Sequence, residues 1–385
     1  MAIKTKLPVG ILGATGMVGQ RFIQLLENHP WFEVAWLAAS DRSSGKTYGE
    51  AAKWRLDTPL PKRIAQMTVR PADPSAAANG GQAAPKVIFA ALDAAIAREI
   101  EPAFADAGCA VVSNSSAYRM APNVPLVIPE INADHLHLIE EQPSRSRSGG
   151  YMVTNPNCST IGLVMALKPI EARFGIEKIF VTTMQAVSGA GYPGVASMDI
   201  LGNVVPYIGS EEEKMEAETL KLLGKLNGHI VEPLHATVSA HCNRVPVEDG
   251  HTESVSIKLG RPATREDLLA AWAEFRPLSR QGLPTAPDQP IEWAPQNDRP
   301  QPRLDRNRGN GMAVTVGRLR PCPVLDWKFT VLSHNTIRGA AGAAILNAEL
   351  LASLGKLETG IPSDALGAPT SSLGWEPVAE AAARA

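Results

Sequence analysis

Apolar positions along the chain fall into two successive regimes. In the first, short uniformly apolar runs alternate with stretches of helical spacing: Pro8-Val9-Gly10-Ile11-Leu12 stops at Gly13, and Thr15–Asn28 then sets Val18, Phe22, Leu25 and Leu26 on one helical face. A run that is apolar on both sides suits a strand buried within a parallel sheet, and the following helix supplies the crossover. Further strands are predicted over Glu33–Ala39, Lys86–Leu92 and Ala110–Ser113, with a helix over Ala94–Ala107. Such alternation predicts a doubly wound α/β domain. Pro71–Pro85 and Gln142–Gly150 (QPSRSRSGG) are low in complexity and are expected to be surface loops.

After Gly150 the pattern changes. A helix is predicted over Ser159–Phe174, followed by longer strand-like runs at Lys178–Val187, Ile230–Cys242, Thr252–Leu259, Met312–Leu319 and Trp327–Leu332. This is the pattern of an α+β domain with a sizeable, largely antiparallel sheet. Val255, Ile257 and Leu259 alternate with Ser254, Ser256 and Lys258, so one face is buried and the other wet, and His251 shares the buried parity. Thr264 with Asp267 three residues on caps a helix reaching Phe275. Gly282–Arg308 is expected to be a long loop and Pro362–Ala385 a loosely docked tail.

The 385 residues exceed what one core usually organises, in line with two domains. With 37 basic and 39 acidic residues no global field recruits nucleic acid or an anionic membrane. The N-terminus lacks an export signal and no run is apolar enough to span a bilayer, so a cytoplasmic protein is expected. Cys109, Cys158, Cys242 and Cys322 are widely separated with no CxxC pair, which fits a reducing compartment and no metal site.

Three places carry chemistry. Gly13-Ala14-Thr15-Gly16-Met17-Val18-Gly19 follows the first strand and opens the first helix, a variant of the dinucleotide turn in which backbone approaches a pyrophosphate at the positive helix end. At the end of the second strand Ser40, Arg42 and Ser43 suit a 2′-phosphate, hence NADP, while Asp41 in the same turn suits a free 2′-hydroxyl. Cys158, in Asn155-Pro156-Asn157-Cys158-Ser159-Thr160, opens a helix, a setting expected to pull its pKa below the ordinary ~8.5. Cys109, inside AGCAVV, reads as an inert core cysteine. His251 is the candidate acid/base partner, although a histidine at a strand end is often structural, and Arg244 in CNRVPV could clamp a carboxylate.

GATGMVGQRF, SDRSSGKTYGEA, SNSSAYRM, NPNCST, QAVSGAGYPG, EEEKMEAET, CNRVPVEDGHTESV, NDRPQPRLDR and SHNTIRGAAGAAILNAEL occur in this order. From residue 7 to about 355 the chain resembles aspartate-β-semialdehyde dehydrogenase of the archaeal/fungal-like branch. The resemblance implies an N-terminal NADP-binding Rossmann domain (1–156, completed by a C-terminal helix at 334–358). A glyceraldehyde-phosphate-dehydrogenase-like catalytic and dimerisation domain (157–333) and a tail (359–385) would follow. It implies a homodimer or homotetramer that performs the NADP(H)-dependent reductive dephosphorylation of L-aspartyl-4-phosphate. That step serves lysine (through diaminopimelate), threonine and methionine biosynthesis.

By the same resemblance Cys158 is the nucleophile, His251 the acid/base catalyst and Gln185 the residue that orients the thioester. Arg244 would hold the substrate α-carboxylate and Glu211 its ammonium, the latter assignment open by one or two positions within the three glutamates. Arg119, Asn157 and Lys214 would bind phosphate, and Ser188, Gly189 and Asn335 would meet the nicotinamide end of the cofactor. The nearest rival is another acyl-thioester reductase on the same scaffold, such as malonyl-CoA reductase, which would share Cys158, His251 and the cofactor turn. N-acetylglutamyl-phosphate reductase fits EEEK and RVPVEDGHT less well, and a catalytically silent NADP-binding protein would leave the nucleophile, base and phosphate ligands unexplained.

Overall fold

The computed structural model describes residues 6–78 and 84–357. The first sheet consists of β1 (Leu7–Leu12), β2 (Phe32–Ala38), β3 (Val87–Ala90), β4 (Ala110–Ser113) and β5 (Tyr151–Thr154), all parallel, in the order β2-β1-β3-β4-β5. The chain reverses direction across the sheet between β1 and β3, which makes the carboxyl end of β1 the switch point where such sheets bind ligands. Val9, Ile11, Phe89 and Val112 bury on one side, and Leu12, Ile88, Ala90 and Val111 on the other. That two-sided burial is why each strand reads as an unbroken apolar run.

Among the described residues six helices reach ten residues: α1 (Met17–Leu26), α2 (Ala94–Asp106), α3 (Cys158–Phe174), α4 (Glu211–Leu222), α5 (Arg265–Glu274) and α6 (Gly342–Ser353). Helix α1 lies on one face of the first sheet and α2 on the other. Although α6 comes last, Ala344, Leu346, Leu350 and Leu351 return to the first core beside Val9 and Phe22. Among the described residues no helix is long and apolar enough to cross a membrane.

The second sheet takes β6 (Ile176–Gln185), β9 (Thr237–Arg244), β10 (His251–Leu259), β11 (Ile291–Ala294), β12 (Val314–Pro321) and β13 (Trp327–Ser333), in the order β11-β12-β13-β10-β6-β9. Its three central pairings are antiparallel, and both edge strands join in parallel. The sheet is thus mixed. One face packs under α3 and α5, where the Trp272 indole donates to the carbonyl of Ala166 at 2.8 Å. The opposite face of this single chain leaves Phe180 and Ser254 exposed.

Four expectations are corrected. The run 230–242 divides into β8 (Ile230–Glu232), which pairs only with β7 (Lys225–Asn227), and β9, because Pro233 has no N–H for a continuing ladder. Residues 143–148 form a helical turn closed by Gly149 at φ 81°, with the Ser148 hydroxyl on the carbonyl of Ala105 at 3.0 Å. Residues 74–78 are helical as well, and 79–83 lie outside the described residues. The stretch 282–308 contributes β11 to the sheet edge and a turn at Pro302–Asp305. The Thr264–Asp267 capping box is present, and the proposed tail lies outside the described residues.

Between the two sheets, a π-type turn at Ile337–Ala341 leads into α6. Its Arg338, with 0% of its side chain exposed, pairs with Glu130 at 2.7 Å. Removing one partner of such a pair strands the other charge in apolar surroundings. Glu130→Ala should therefore cost about 3–5 kcal/mol, read as a lower urea midpoint at unchanged slope; a loss below 1 kcal/mol would show that the pair does not brace the junction.

Candidate active site

Strand β5 delivers the chain to Asn155-Pro156-Asn157, and α3 begins at Cys158. The Asn157 carboxamide oxygen accepts from the N–H groups of Ser159 at 2.9 Å and Thr160 at 3.2 Å, a side-chain N-cap that starts the helix beside the cysteine. Its amide nitrogen donates to Glu211 Oε1 at 2.8 Å. Asn155 donates to the carbonyl of Ala340 at 2.9 Å and accepts from Asn347 at 2.6 Å, which ties the turn to the returning helix.

Cys158 Sγ lies 3.2 Å from His251 Nε2, where β10 begins, and His251 is fully buried. The backbone N–H of Ala186 donates to His251 Nδ1 at 3.0 Å. A backbone amide always carries its hydrogen, so Nδ1 is the acceptor and the single proton of the neutral ring sits on Nε2, aimed at the sulfur. Arg244 Nη1 donates to the carbonyl of the same Ala186 at 2.8 Å. A Cβ on Gly189 would come within 2.8 Å of that guanidinium nitrogen and 3.1 Å of the imidazole Cε1, so this position admits no side chain without displacing one of them.

Here the electrostatics depart from the sequence expectation. Burial pushes the Cys158 thiol up to about 12, the Glu211 carboxylate adds to that, and Arg119 and Arg244 oppose it. Burial also lowers His251 to about 3, helped by the charges of Arg244 and His334. The helix start does lie at the cysteine, but desolvation outweighs it, and the resting pair is a thiol beside a neutral imidazole.

Glu211 is the one glutamate of its run that faces the Asn157–Cys158 turn; Glu212 Oε1 instead accepts from the N–H of Cys242 at 2.8 Å, and Glu213 is exposed. Arg119 is buried and close enough to act on the sulfur electrostatically. Lys214, one helical turn after Glu211, is half-buried and makes no side-chain bond to the other candidates. Gln185 sits in register with Arg244 across β6 and β9, but its amide is turned to Thr183 Oγ1 at 3.3 Å, not to Cys158. Asn335 joins the two loops above the pair, donating to Ser188 Oγ at 2.8 Å and accepting from the N–H of Gly250 at 2.8 Å. The sequence reading did not single out Glu218, which bonds both Arg119 and the Asn157 backbone. Its signal was the spacing of Glu211, Lys214 and Glu218 on one face of α4.

The cofactor turn is built as a phosphate cradle requires. Gly13 has φ +75°, and a Cβ there would lie 2.3 Å from the carbonyl oxygen of Ala91 at the end of β3. No acidic side chain occupies the first turn of α1, and Gly16 caps it without a side chain. The N–H of Gly16 is spent on the carbonyl of Gly13 at 3.1 Å, while Thr15, Met17 and Val18 present theirs at the helix start, where an anion is favoured. Ser40 and Arg42 are exposed, and Ser43 half-buried, just beyond β2, the neighbour of β1.

A nucleotide turn at a switch point, and a cysteine at a helix start beside a histidine of the second sheet, are the parts of a nicotinamide-dependent dehydrogenase. The chain matches the family described as "Semialdehyde dehydrogenase, NAD binding domain" over residues 8–139 and "Semialdehyde dehydrogenase, dimerisation domain" over 167–338. It is 53% identical to the aspartate-semialdehyde dehydrogenase of Methanothermobacter thermautotrophicus over 89% of this chain and 98% of that protein. It is 49% identical to that of Schizosaccharomyces pombe over 91% and 98%. The crystal structure of aspartate semialdehyde dehydrogenase with NADP from Candida albicans superposes with a TM-score of 0.82 at 46% identity, covering 90% of this chain and 98% of that one. The chain belongs to the aspartate-semialdehyde dehydrogenase family.

A thiol held neutral beside a neutral imidazole should alkylate slowly at neutral pH. Inactivation of the unliganded protein by iodoacetamide is expected to accelerate continuously from pH 6 to pH 10, because the thiolate fraction keeps rising until the pH nears about 12. A rate already flat from pH 6 would reveal a preformed thiolate–imidazolium pair and overturn this reading.

Proposed function

We propose that the protein reduces L-aspartyl-4-phosphate to L-aspartate 4-semialdehyde with NADPH, releasing phosphate, through a thioester on Cys158. The observation that carries the proposal is Cys158 Sγ at 3.2 Å from the Nε2–H of His251, under the fields of two guanidinium groups, Arg119 and Arg244. The sulfur attacks the acyl carbon, the carbon–oxygen bond to phosphorus breaks, and the thiol proton leaves with the phosphate. His251 is not needed to remove that proton, since its Nε2 is already protonated and its Nδ1 engaged. Bound NADPH supplies the hydride that reduces the thioester carbon. As the resulting thiohemiacetal opens to the aldehyde, Nε2–H stands where it can hydrogen-bond to the departing sulfur, which takes from water the one proton that the overall reaction consumes. With the N–H groups of Ser159 and Thr160 spent on Asn157, the N–H of Cys158 is the donor at the start of α3 that suits the developing oxyanion, worth roughly 3 kcal/mol in comparable sites.

Roles for the surrounding residues follow from their chemistry. Arg244 pairs with the α-carboxylate and Glu211 with the ammonium of the substrate; Arg119, Asn157 and Lys214 take the phosphate; Gln185 swings from Thr183 to orient the thioester. Gly13 through Val18 hold the pyrophosphate, Ser40, Arg42 and Ser43 the 2′-phosphate, and Ser188, Gly189 and Asn335 border the nicotinamide. We further assign residues 1–156 with the returning 334–358 segment to the cofactor domain and 157–333 to the catalytic domain, whose exposed sheet face suits a homodimer, acting in the cytoplasm. Malonyl-CoA reduction would use the same Cys158 and His251 but gives Arg119 and Lys214 no phosphate to bind at the acyl carbon.

Purified protein should oxidise L-aspartate semialdehyde only when both phosphate and NADP are present, and should not oxidise NADPH with malonyl-CoA. Cys158→Ser should lose several orders of magnitude in rate while still binding NADP, because a hydroxyl lacks the thiolate's nucleophilicity. Retained turnover, or an acyl group trapped on Cys109, Cys242 or Cys322, would refute the assignment. NADP should exceed NAD in kcat/KM; equal values would place Asp41 rather than Arg42 at the ribose.

A further inference from the structure

Helix α4 approaches the nucleophile turn with more than Glu211. Seven residues on, and on the same face, Glu218 is 1% exposed and divides its carboxylate between two functional segments. Oε1 accepts from Arg119 Nη1 at 3.0 Å, and Oε2 accepts from the backbone N–H of Asn157, the residue before Cys158, at 2.6 Å. The Arg119 segment is fixed from the same helix: Lys221 Nζ donates to the carbonyls of Arg119 at 2.7 Å, Ala121 at 3.0 Å and Val124 at 3.3 Å. Arg119 itself spends Nη2 on the carbonyl of Asn114 at 2.7 Å, and its Nε is buried with no partner in the protein. A buried guanidinium nitrogen left unbonded costs free energy unless a ligand completes it. Arg119 is thus oriented by Glu218 and Asn114 with its buried Nε–H unused.

We propose that Glu218 is a positioning residue that sets the separation between the phosphate-binding guanidinium of Arg119 and the Cys158 turn, so that an acyl phosphate meets both at once. This rests on the reading of Arg119 as a phosphate ligand. In an acyl phosphate the attacked carbon and the phosphorus share one oxygen, so their spacing is fixed by covalent geometry. The protein must match that spacing with groups on two different domains. A single carboxylate bonded to both provides the shortest rigid link. Glutamine cannot replace it, since it has one acceptor oxygen and would turn an NH2 group toward either the Arg119 donor or the Asn157 N–H.

The direction of the effect separates positioning from simple charge. Deleting a negative charge beside a phosphate site should by itself tighten phosphate binding, whereas a lost link should weaken it. Steady-state oxidation of L-aspartate semialdehyde with NADP, with phosphate varied, tests this on the full-length protein. Glu218→Gln and Glu218→Asp, the second keeping the charge but withdrawing it by one methylene, should each raise the KM for phosphate about 10–100-fold, with the KM for the aldehyde within about twofold. A fall in the phosphate KM of Glu218→Gln, or wild-type behaviour of Glu218→Asp, would show a charge effect and overturn the proposal. Failure of both variants to fold would make Glu218 purely structural and overturn it as well. Arg119→Lys, measured in parallel, should raise the phosphate KM too. If it does and the Glu218 variants do not, the link is refuted alone; if it does not, the reading of Arg119 itself falls.

Discussion

The architecture turns on the absence of a side chain at Gly339. A Cβ there would sit 2.8 Å from Cys158 Cβ and 3.0 Å from its carbonyl oxygen, closer than such atoms approach. The π-type turn can therefore lie directly on the start of α3, and Cys158 is wedged between the second sheet and the segment that returns to the first core. The neighbouring Arg338–Glu130 pair and the bonds from Asn155 to Ala340 and Asn347 hold that contact in register. A π-type turn inserts a residue into the helix and so re-aims the turns C-terminal to it. Here it lets the chain graze the cysteine and still deliver α6 into the first core.

Buried charge is tolerated around this junction only where it is answered. Arg338 is paired with Glu130 and Arg119 with Glu218, each between segments far apart in sequence. Glu253 differs: it is fully buried, neither carboxyl oxygen has a hydrogen-bond partner, and burial raises its pKa well above the ordinary value. A neutral carboxylic acid is the form such a pocket permits. Because Glu253 lies two residues from His251 on the same strand face, its neutrality also keeps a negative field away from a site that must receive an anionic substrate.

The cofactor half of the molecule was legible in the sequence because its information is local. Uniform apolar strands, Gly13 at a strand end and the helical spacing of Val18, Phe22 and Leu26 stem from the geometry of one crossover unit. The pairing of Cys158 with His251 was legible only as two separate hints, a cysteine at a helix start and a histidine of buried parity, and the motif resemblance joined them. Three features escaped. The 143–148 turn is stabilised by contacts to α2 that no composition rule anticipates. The elevated thiol reflects desolvation, which depends on what the whole chain packs around Cys158. Glu218 looked like one more charge on a polar helix, since its two partners lie 99 and 61 residues away.

The neutral thiol suits the reaction better than a preformed thiolate would. An acyl phosphate brings its own negative charge to a site where the Glu211 carboxylate already acts against ionisation of the sulfur. A thiolate present beforehand would repel that substrate, and desolvation would raise its cost further. On the proposed route the proton stays on sulfur until attack and passes to the departing phosphate as the carbon–oxygen bond breaks, since that phosphate is basic enough to take it near neutrality. The imidazole, fixed by the Ala186 N–H with its hydrogen toward sulfur, is then free for the opposite task. Its N–H, on the proposed route, stabilises sulfur when the thiohemiacetal opens and negative charge returns to Cys158. On that route one histidine, locked in one tautomer by one backbone bond, serves the step in which sulfur leaves, and the substrate's own phosphate serves the step in which sulfur attacks.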